Sequence, residues 1–350
     1  MKDRVTLLEI AQRAGVSTST VSRALKNDPR IPPITGEKLR SLATTMGYTP
    51  DPLISELAGK HWKTPKDHVA LNLAFIYNKK EHEQLVEQHR DIATHLQQVA
   101  ARYGYKVTVY SVSEYPNWKS LGRVLHNRGI RGFFMAPIYD TDSIVEMEWK
   151  HFSIVSLGPG FLPQPFHRVY SSAFEQLAHI ITEVWKRGYR NLGIALLEHP
   201  CAIEDDMKRL GAAYAHKHLI EGKGGKVSIV TYKEHHYPED LLSRNSLLLK
   251  WLEKERPEVV IGFNIGVYHA MLDLHFQSPK DIAFATLHCD QEWPMASGLM
   301  LTSELKADYA LYLMDLLLRS NETGIPNKQI RHNVSFSWYE GATLPDKAKS

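Results

Sequence analysis

The chain has 350 residues, a formal net charge of +3 and 43% apolar against 23% charged residues. That length exceeds what one core usually serves, so a small module plus one large or bilobed domain is expected, and the balanced composition excludes a disordered or low-complexity protein. Met1-Lys2-Asp3-Arg4 opens no apolar leader and no apolar run has membrane-spanning length, so a cytoplasmic protein is expected; Cys201 and Cys289, far apart and outside any CxxC pair, fit a reducing compartment and read as packing residues. The overall charge is too small to argue for a nucleic-acid partner, but residues 1–63 lean basic through Arg13, Arg23, Lys26, Arg30, Lys38 and Arg40.

Thr6-Leu7-Leu8-Glu9 has capping-box spacing and predicts a helix start. Leu7, Ile10, Ala11 and Ala14 then form one apolar stripe, and Gly15 supplies a left-handed stop. Ser17 can cap a second helix through Leu25, with Val21, Ala24 and Leu25 inward. Thr18, Ser19, Ser22 and Arg23 are left outward, short hydroxyls with one Arg near the helix start, a face suited to a major groove. After the polar turn Lys26-Asn27-Asp28-Pro29-Arg30, Pro32-Pro33 can open a third helix with Leu39, Leu42, Ala43 and Met46 inward, ended by Gly47-Tyr48.

Val5-Thr6-Leu7-Leu8-Glu9-Ile10-Ala11, Ala14-Gly15-Val16-Ser17, Thr20-Val21-Ser22-Arg23-Ala24-Leu25 and Gly47-Tyr48-Thr49-Pro50 resemble the head of the lactose-repressor (LacI/GalR) family over about sixty residues. The resemblance implies that Thr6 and Leu7 approach the DNA backbone, that Thr18 and Ser19 occupy base-reading positions, and that Ser17, Thr20, Ser22, Arg23 and Asn27 complete the contact face. Pro32 stands where the family usually caps with Ser or Thr, and Gly36 replaces a commoner charged residue, which predicts a modestly weakened third helix. Asp51-Pro52 followed by Leu53 to Ala58 predicts a short helix marginal alone, or a simple interdomain linker. By resemblance it is a hinge helix that folds on the minor groove, with Leu57 as the wedge that kinks the duplex.

From about residue 69 apolar runs alternate with amphipathic stretches, predicting βαβ units and parallel sheets. Strands are expected over 69–77, 106–110, 132–136, 152–157, 191–197, 226–232, 259–264 and 282–287. Helices are expected over 83–103, 118–128, 175–187, 205–219, 241–254 and 307–318. The predicted fold class is α/β: a three-helix helix-turn-helix head (1–50), a hinge helix and linker (51–68), and two Rossmann-like lobes (69–345). The large domain resembles the family's periplasmic-binding-protein-like effector and dimerisation domain through Gly188-Tyr189-Arg190-Asn191-Leu192-Gly193-Ile194 and Leu301-Thr302-Ser303.

Ligands of such sheets bind outside the carboxyl ends of the strands. Strand-end position nominates Tyr77, Pro137, Tyr139, Gly158, Asp206, Asn264, His288, Asp290 and Trp293. The effector-binding Arg of the family falls at Leu210, ahead of Ala213-Tyr214, with Lys208 and Arg209 nearby as substitutes. Ser171-Ser172 and Asn264-Ile265 stand where the family has Asp-Asn and Asn-Asp, so an ordinary sugar bound through carboxylate and Arg is not assured.

Glu234-His235-His236 lacks a spaced third metal ligand, and Gly158-Pro159-Gly160 and Gly222-Lys223-Gly224-Gly225 lack phosphate-loop spacing. Neither a GxSxG elbow nor a Cys with an evident base appears, so no catalysis, metal or cofactor is predicted. The reading is a sequence-specific transcription regulator, by that resemblance a repressor, a homodimer on a palindromic double-stranded operator, controlled by a small molecule such as a sugar or sugar derivative. A solute-binding protein and a sugar-processing enzyme with an accessory DNA-binding head are the alternatives; the first requires an export signal and the second a catalytic constellation.

Overall fold

The computed structural model describes residues 7–25, 28–46, 71–80, 83–138, 147–158, 166–199, 204–233, 247–289, 295–300 and 303–347. The head contributes α1 (Leu7–Ala14), α2 (Thr18–Leu25) and α3 (Pro33–Thr45). Helices this short are unstable alone, so the head depends on the core that Ile10, Ala11, Val21, Ala24, Leu39 and Ala43 share. Gly15 sits at φ +66°, the left-handed stop its position predicts, and Val16 returns its amide to the Ala11 carbonyl at 3.0 Å.

The first lobe holds β1 (Leu71–Tyr77), α4 (Glu83–Arg102), β2 (Tyr105–Ser111), α5 (Trp118–Asn127), β3 (Gly132–Met135), β4 (Ser153–Leu157) and β5 (His167–Tyr170). The second holds α6 (Ala173–Lys186), β6 (Asn191–Glu198), α7 (Glu204–Glu221), β7 (Lys226–Lys233), α8 (Leu247–Glu255), β8 (Val259–Gly262), α9 (Ile265–Asp273), β9 (Ala283–Thr286) and β10 (Ser297–Met300). The chain ends with α10 (Ser303–Ser320), β11 (Arg331–Asn333) and β12 (Ser337–Tyr339). Two six-stranded sheets result, ordered β11-β5-β4-β3-β1-β2 and β12-β10-β9-β8-β6-β7, with every pairing parallel except β10 with β12.

Parallel sheets need both faces covered, and the fully buried runs Gly132–Met135, Val259–Gly262 and Ala283–Thr286 reflect this. One face of the first sheet packs on Ile92, Leu96 and Val99 of α4 and on Leu311, Met314 and Leu317 of α10. Its other face packs on Leu121 and Leu125 of α5 with Trp149, Phe152 and Phe166. The second sheet is covered by α6 and α7 on one face and by α8 and α9 on the other.

The structure departs from a simple run of two successive lobes. Helix α10, which follows the second lobe in sequence, belongs to the core of the first, and β11 and β12 then add one strand to each sheet. The chain therefore passes between lobes after β5, after β10 and after β11. Residues 259–264 also divide differently from the expected strand. The strand stops at Gly262, because the Asn264 side chain accepts from the Gly266 amide at 3.1 Å and caps α9.

Candidate nucleic-acid interface and ligand cleft

Ser17 caps α2: its hydroxyl accepts from the Thr20 amide at 3.1 Å and lies 2.8 Å from the hydroxyls of both Ser19 and Thr20. The hydroxyls of Ser17, Ser19 and Thr20 are thereby tied together at the helix start. Val21 and Ala24 point into the head core, while Thr18, Ser19 and Arg23 are exposed and Thr20 and Ser22 half-buried. Arg23 lies in the last turn of α2 rather than near its start, where its charge complements the negative end of the helix dipole. Thr6, Asn27 and Leu57 lie outside the described residues; Leu7 is the first residue of α1.

Helix α3 starts at Pro33 behind Pro32, which makes no side-chain cap. Gly36 has a purpose that its replacement of a charged residue did not suggest. A Cβ there would stand 3.0 Å from Nη1 of Arg40, and that same nitrogen donates to the Ala24 carbonyl at 3.1 Å. Gly36 thus clears a path for Arg40 to bind the last turn of α2. Beside it, Arg30 pairs with Asp28 at 2.6 Å and, mainly by that hydrogen bond, holds the Asp28 carboxyl well below the usual range.

In the large domain, polar groups gather at the carboxyl ends of the second sheet's strands. Phe263, just beyond β8, is the centre of this cluster. The rings of His199 and His288 meet it edge-on at 5.8 and 4.8 Å, and the Arg209 guanidinium lies 4.9 Å above it. His199 pairs with Asp206 at 2.9 Å, and Arg209 reaches Asp206 at 3.3 Å and Asp205 at 3.9 Å. His288 is held neutral, its pKa lowered to about 3 by removal from water and then by Arg209, Lys306 and His199. Burial likewise lowers the Lys306 pKa, against the favourable charge of Asp205, and raises that of Asp205.

The residues nominated by strand-end position divide accordingly. Asp206 and His288 belong to this cluster, whereas Asn264 is engaged as the cap of α9. Gly158, at φ +117°, and Pro137 are neighbours at the ends of β4 and β3, where a Cβ on Gly158 would stand 3.2 Å from the Pro137 ring. Tyr77 packs on Phe75 and His89 and lines, with Gln97 and Val109, a cavity of about 280 Å³ between α4 and the sheet. Tyr139, Asp290, Trp293 and the Glu234-His235-His236 run lie outside the described residues.

Of the two substitutes for the expected arginine, Arg209 enters the cluster and Leu210 packs against the second-lobe core. Lys208 faces the junction of the lobes, 2.9 Å from Glu204 and 5.4 Å from the ring of Tyr170. Sequence reasoning missed Phe263, His199, Lys306 and Arg168. Phe263 directly follows a buried strand and Arg168 is a buried charge within β5, so the signal for each was position at a strand whose end was misplaced or unseen.

Among the described residues no helix is long and apolar enough to cross a membrane, and no group of three metal-ligating side chains occurs.

Residues 6–51 match the family model of bacterial regulatory proteins, lacI family. The HTH-type transcriptional regulator MalR of Staphylococcus xylosus is 43% identical over 60 residues, covering 17% of this chain and 18% of that protein. The regulator GanR of Bacillus subtilis (strain 168) is 41% identical over 69 residues, covering 18% and 21%. The chain thus matches about a fifth of these relatives' length.

Among solved structures, a transcriptional regulator CelR–cellobiose complex superposes with a TM-score of 0.58 at 14% identity, over 97% of this chain and all of that one. The lac repressor dimer bound to operator and the anti-inducer ONPF gives 0.57 at 17% identity, over 98% and 100%. A periplasmic binding protein/LacI transcriptional regulator from Alkaliphilus metalliredigens complexed with D-xylulofuranose gives 0.57 at 12%, over 78% and 99%. At such identities the likeness establishes the fold: a helical head followed by two parallel-sheet lobes.

Proposed function

We propose that this chain, whose head belongs to the lacI family of bacterial regulatory proteins, is a sequence-specific transcription regulator whose affinity for an operator is set by a small molecule bound between its lobes. One observation carries the reading. The capped helix α2 presents Thr18, Ser19 and Arg23 outward from a head that matches the family, on a chain whose remainder has the fold of ligand-binding regulators.

Thr18 and Ser19 read base edges, while Ser17, Thr20, Ser22 and Arg23 fix register on the phosphates. One helix of eight residues reads too few bases for a unique site, so two copies on a palindrome are required. Leu57 of the linker is the minor-groove wedge, and a ligand that changes the angle between lobes changes the spacing of two such linkers. The protein acts in the cytoplasm and binds without catalysis. The ligand contacts are Asp206, Arg209, His288 and Phe263, with Tyr77, Pro137, Tyr139, Gly158, Lys208, Asn264, Asp290 and Trp293 around them.

The test is fluorescence anisotropy on a selected duplex at fixed salt, with and without candidate small molecules. A ligand-dependent change in operator affinity that Arg209→Gln abolishes supports the reading. Operator affinity that no ligand of the second lobe alters contradicts the coupling of cleft to head.

A further inference from the structure

Three cations converge on one carboxylate where the two lobes meet. Glu204, in the first turn of α7, lies 3.0 Å from Arg168 of β5, 2.9 Å from Lys208 of α7 and 3.9 Å from Arg331 of β11. Arg168 and Arg331 are direct neighbours across the parallel β5–β11 pairing, an arrangement of like charges that costs stability unless something compensates it. Asp205 gives little further relief. It is 3.9 Å from Lys208 but is shared with Arg209 at the same distance.

Arg168 is 8% exposed, and its Nε has no hydrogen-bond partner among the described residues. A guanidinium whose Nη1 is held by Glu204 and whose buried Nε is unpaired, beside a second guanidinium and an ammonium from the opposite lobe, makes a cluster with more donors than acceptors.

We infer that the lobe junction is an anion-binding subsite, in which an oxyanion on the effector, carboxylate or phosphate, is held by Arg168 and Arg331 of one lobe and Lys208 of the other. The inference rests on the cleft being an effector site and names the chemical class of that effector as an acidic small molecule. Glu204 competes with the anion for the same donors and serves as its stand-in when the site is empty of ligand. Because the cations come from both lobes, the anion bridges them and favours one interlobe angle.

The probes are D-glucuronate, glucose 6-phosphate, inorganic phosphate and the neutral parent glucose, titrated calorimetrically into the full chain without DNA at low and moderate salt. At least one anionic probe is expected to bind more tightly than glucose, with affinity falling as salt rises. Binding of glucuronate alone identifies a carboxylate ligand; binding of glucose 6-phosphate or inorganic phosphate identifies a phosphate. Arg168→Gln should weaken the anion about tenfold, as loss of a charged hydrogen bond does, and Arg168→Lys should restore part of that loss. Glu204→Gln should tighten it, an effect that damage to the fold cannot imitate.

Glucose binding as tightly as every anionic probe overturns the inference, as does failure of all three anions to bind even the Glu204→Gln chain. These titrations contain no operator. A neutral ligand that shifts operator affinity while the anions do not bind therefore sinks the subsite and leaves the regulator reading intact.

Discussion

Arg40 of α3 donates to the carbonyl of Ala24 in the last turn of α2, through space that Gly36 leaves open. Helix α2 is thereby fastened at its carboxyl end by a cation and at its amino end by Ser17. Arg40→Ala should destabilise the head by about 1–2 kcal/mol, the scale of a charged hydrogen bond. Hydrogen exchange at the α2 amides reads this directly, and unchanged protection would remove Arg40 from the account. Gly36→Leu should act in the same direction by displacing the guanidinium.

Ser17→Ala should cost about 1 kcal/mol of head stability, the usual worth of an N-cap hydroxyl. Ser17→Asp, which keeps an acceptor, should retain stability yet weaken DNA binding through repulsion from phosphate. Thermal melting and operator affinity measured on both variants separate the two effects; equal losses in both would contradict the assignment of Ser17 to cap and interface together.

Arg23→Ala should weaken binding on all sequences alike and reduce the salt slope by about 1, as a phosphate contact does, whereas exchanges at Thr18 or Ser19 should change which sequences are preferred. Anisotropy titrations across salt on matched and mismatched duplexes distinguish the two behaviours. A base preference that moves with Arg23 and not with Thr18 or Ser19 would invert the roles.

His89 and His288 couple stability to pH. Burial lowers the His89 pKa to about 4 and the His288 pKa to about 3, each below the ordinary value of 6.5. Both are neutral in the folded chain, so their contribution is fully present above pH 6.5 and is lost on acidification, as the unfolded chain takes up protons first. Melting temperature should therefore fall between pH 6.5 and about pH 4, and His89→Leu should flatten that fall. A steeper acid loss in the His89→Leu chain would contradict the assignment.

Leu57→Ala should reduce duplex bending and specific affinity while leaving nonspecific binding nearly unchanged. A variant that bends its operator like the parent chain would remove Leu57 as the wedge.

The head was legible because its signals are local. Gly15, the Ser17 cap and the Val21 and Ala24 stripe each act within a few residues, and each appears where its spacing placed it. The long strands and amphipathic helices of the lobes were legible for the same reason. What escaped was nonlocal or brief. Nothing in the sequence of α10 reveals that its apolar face turns back to the first lobe, and strands of three or four residues such as β11, β12 and β5 are too short to show a period.

The polar cluster around Phe263 was half visible. Asp206 and His288, nominated from strand-end position, fall within it, but that Arg209 and not Lys208 joins them depends on the helical phase of α7. Arg209 shares a face with the buried Asp205, Ala212 and Ala213, while Lys208 turns to Glu204 and Tyr170. Asn264 stands two residues beyond the end of β8, which the expected strand over 259–264 included, and there it caps α9.

The most direct test of the central claim is selection of bound sequences from a random duplex pool by the full chain at fixed salt. One palindromic motif with a flexible pyrimidine–purine step at its centre is expected, read twice by α2 and opened once by the paired linkers. Recovery of no motif, or of a single unpaired half-site, would contradict it.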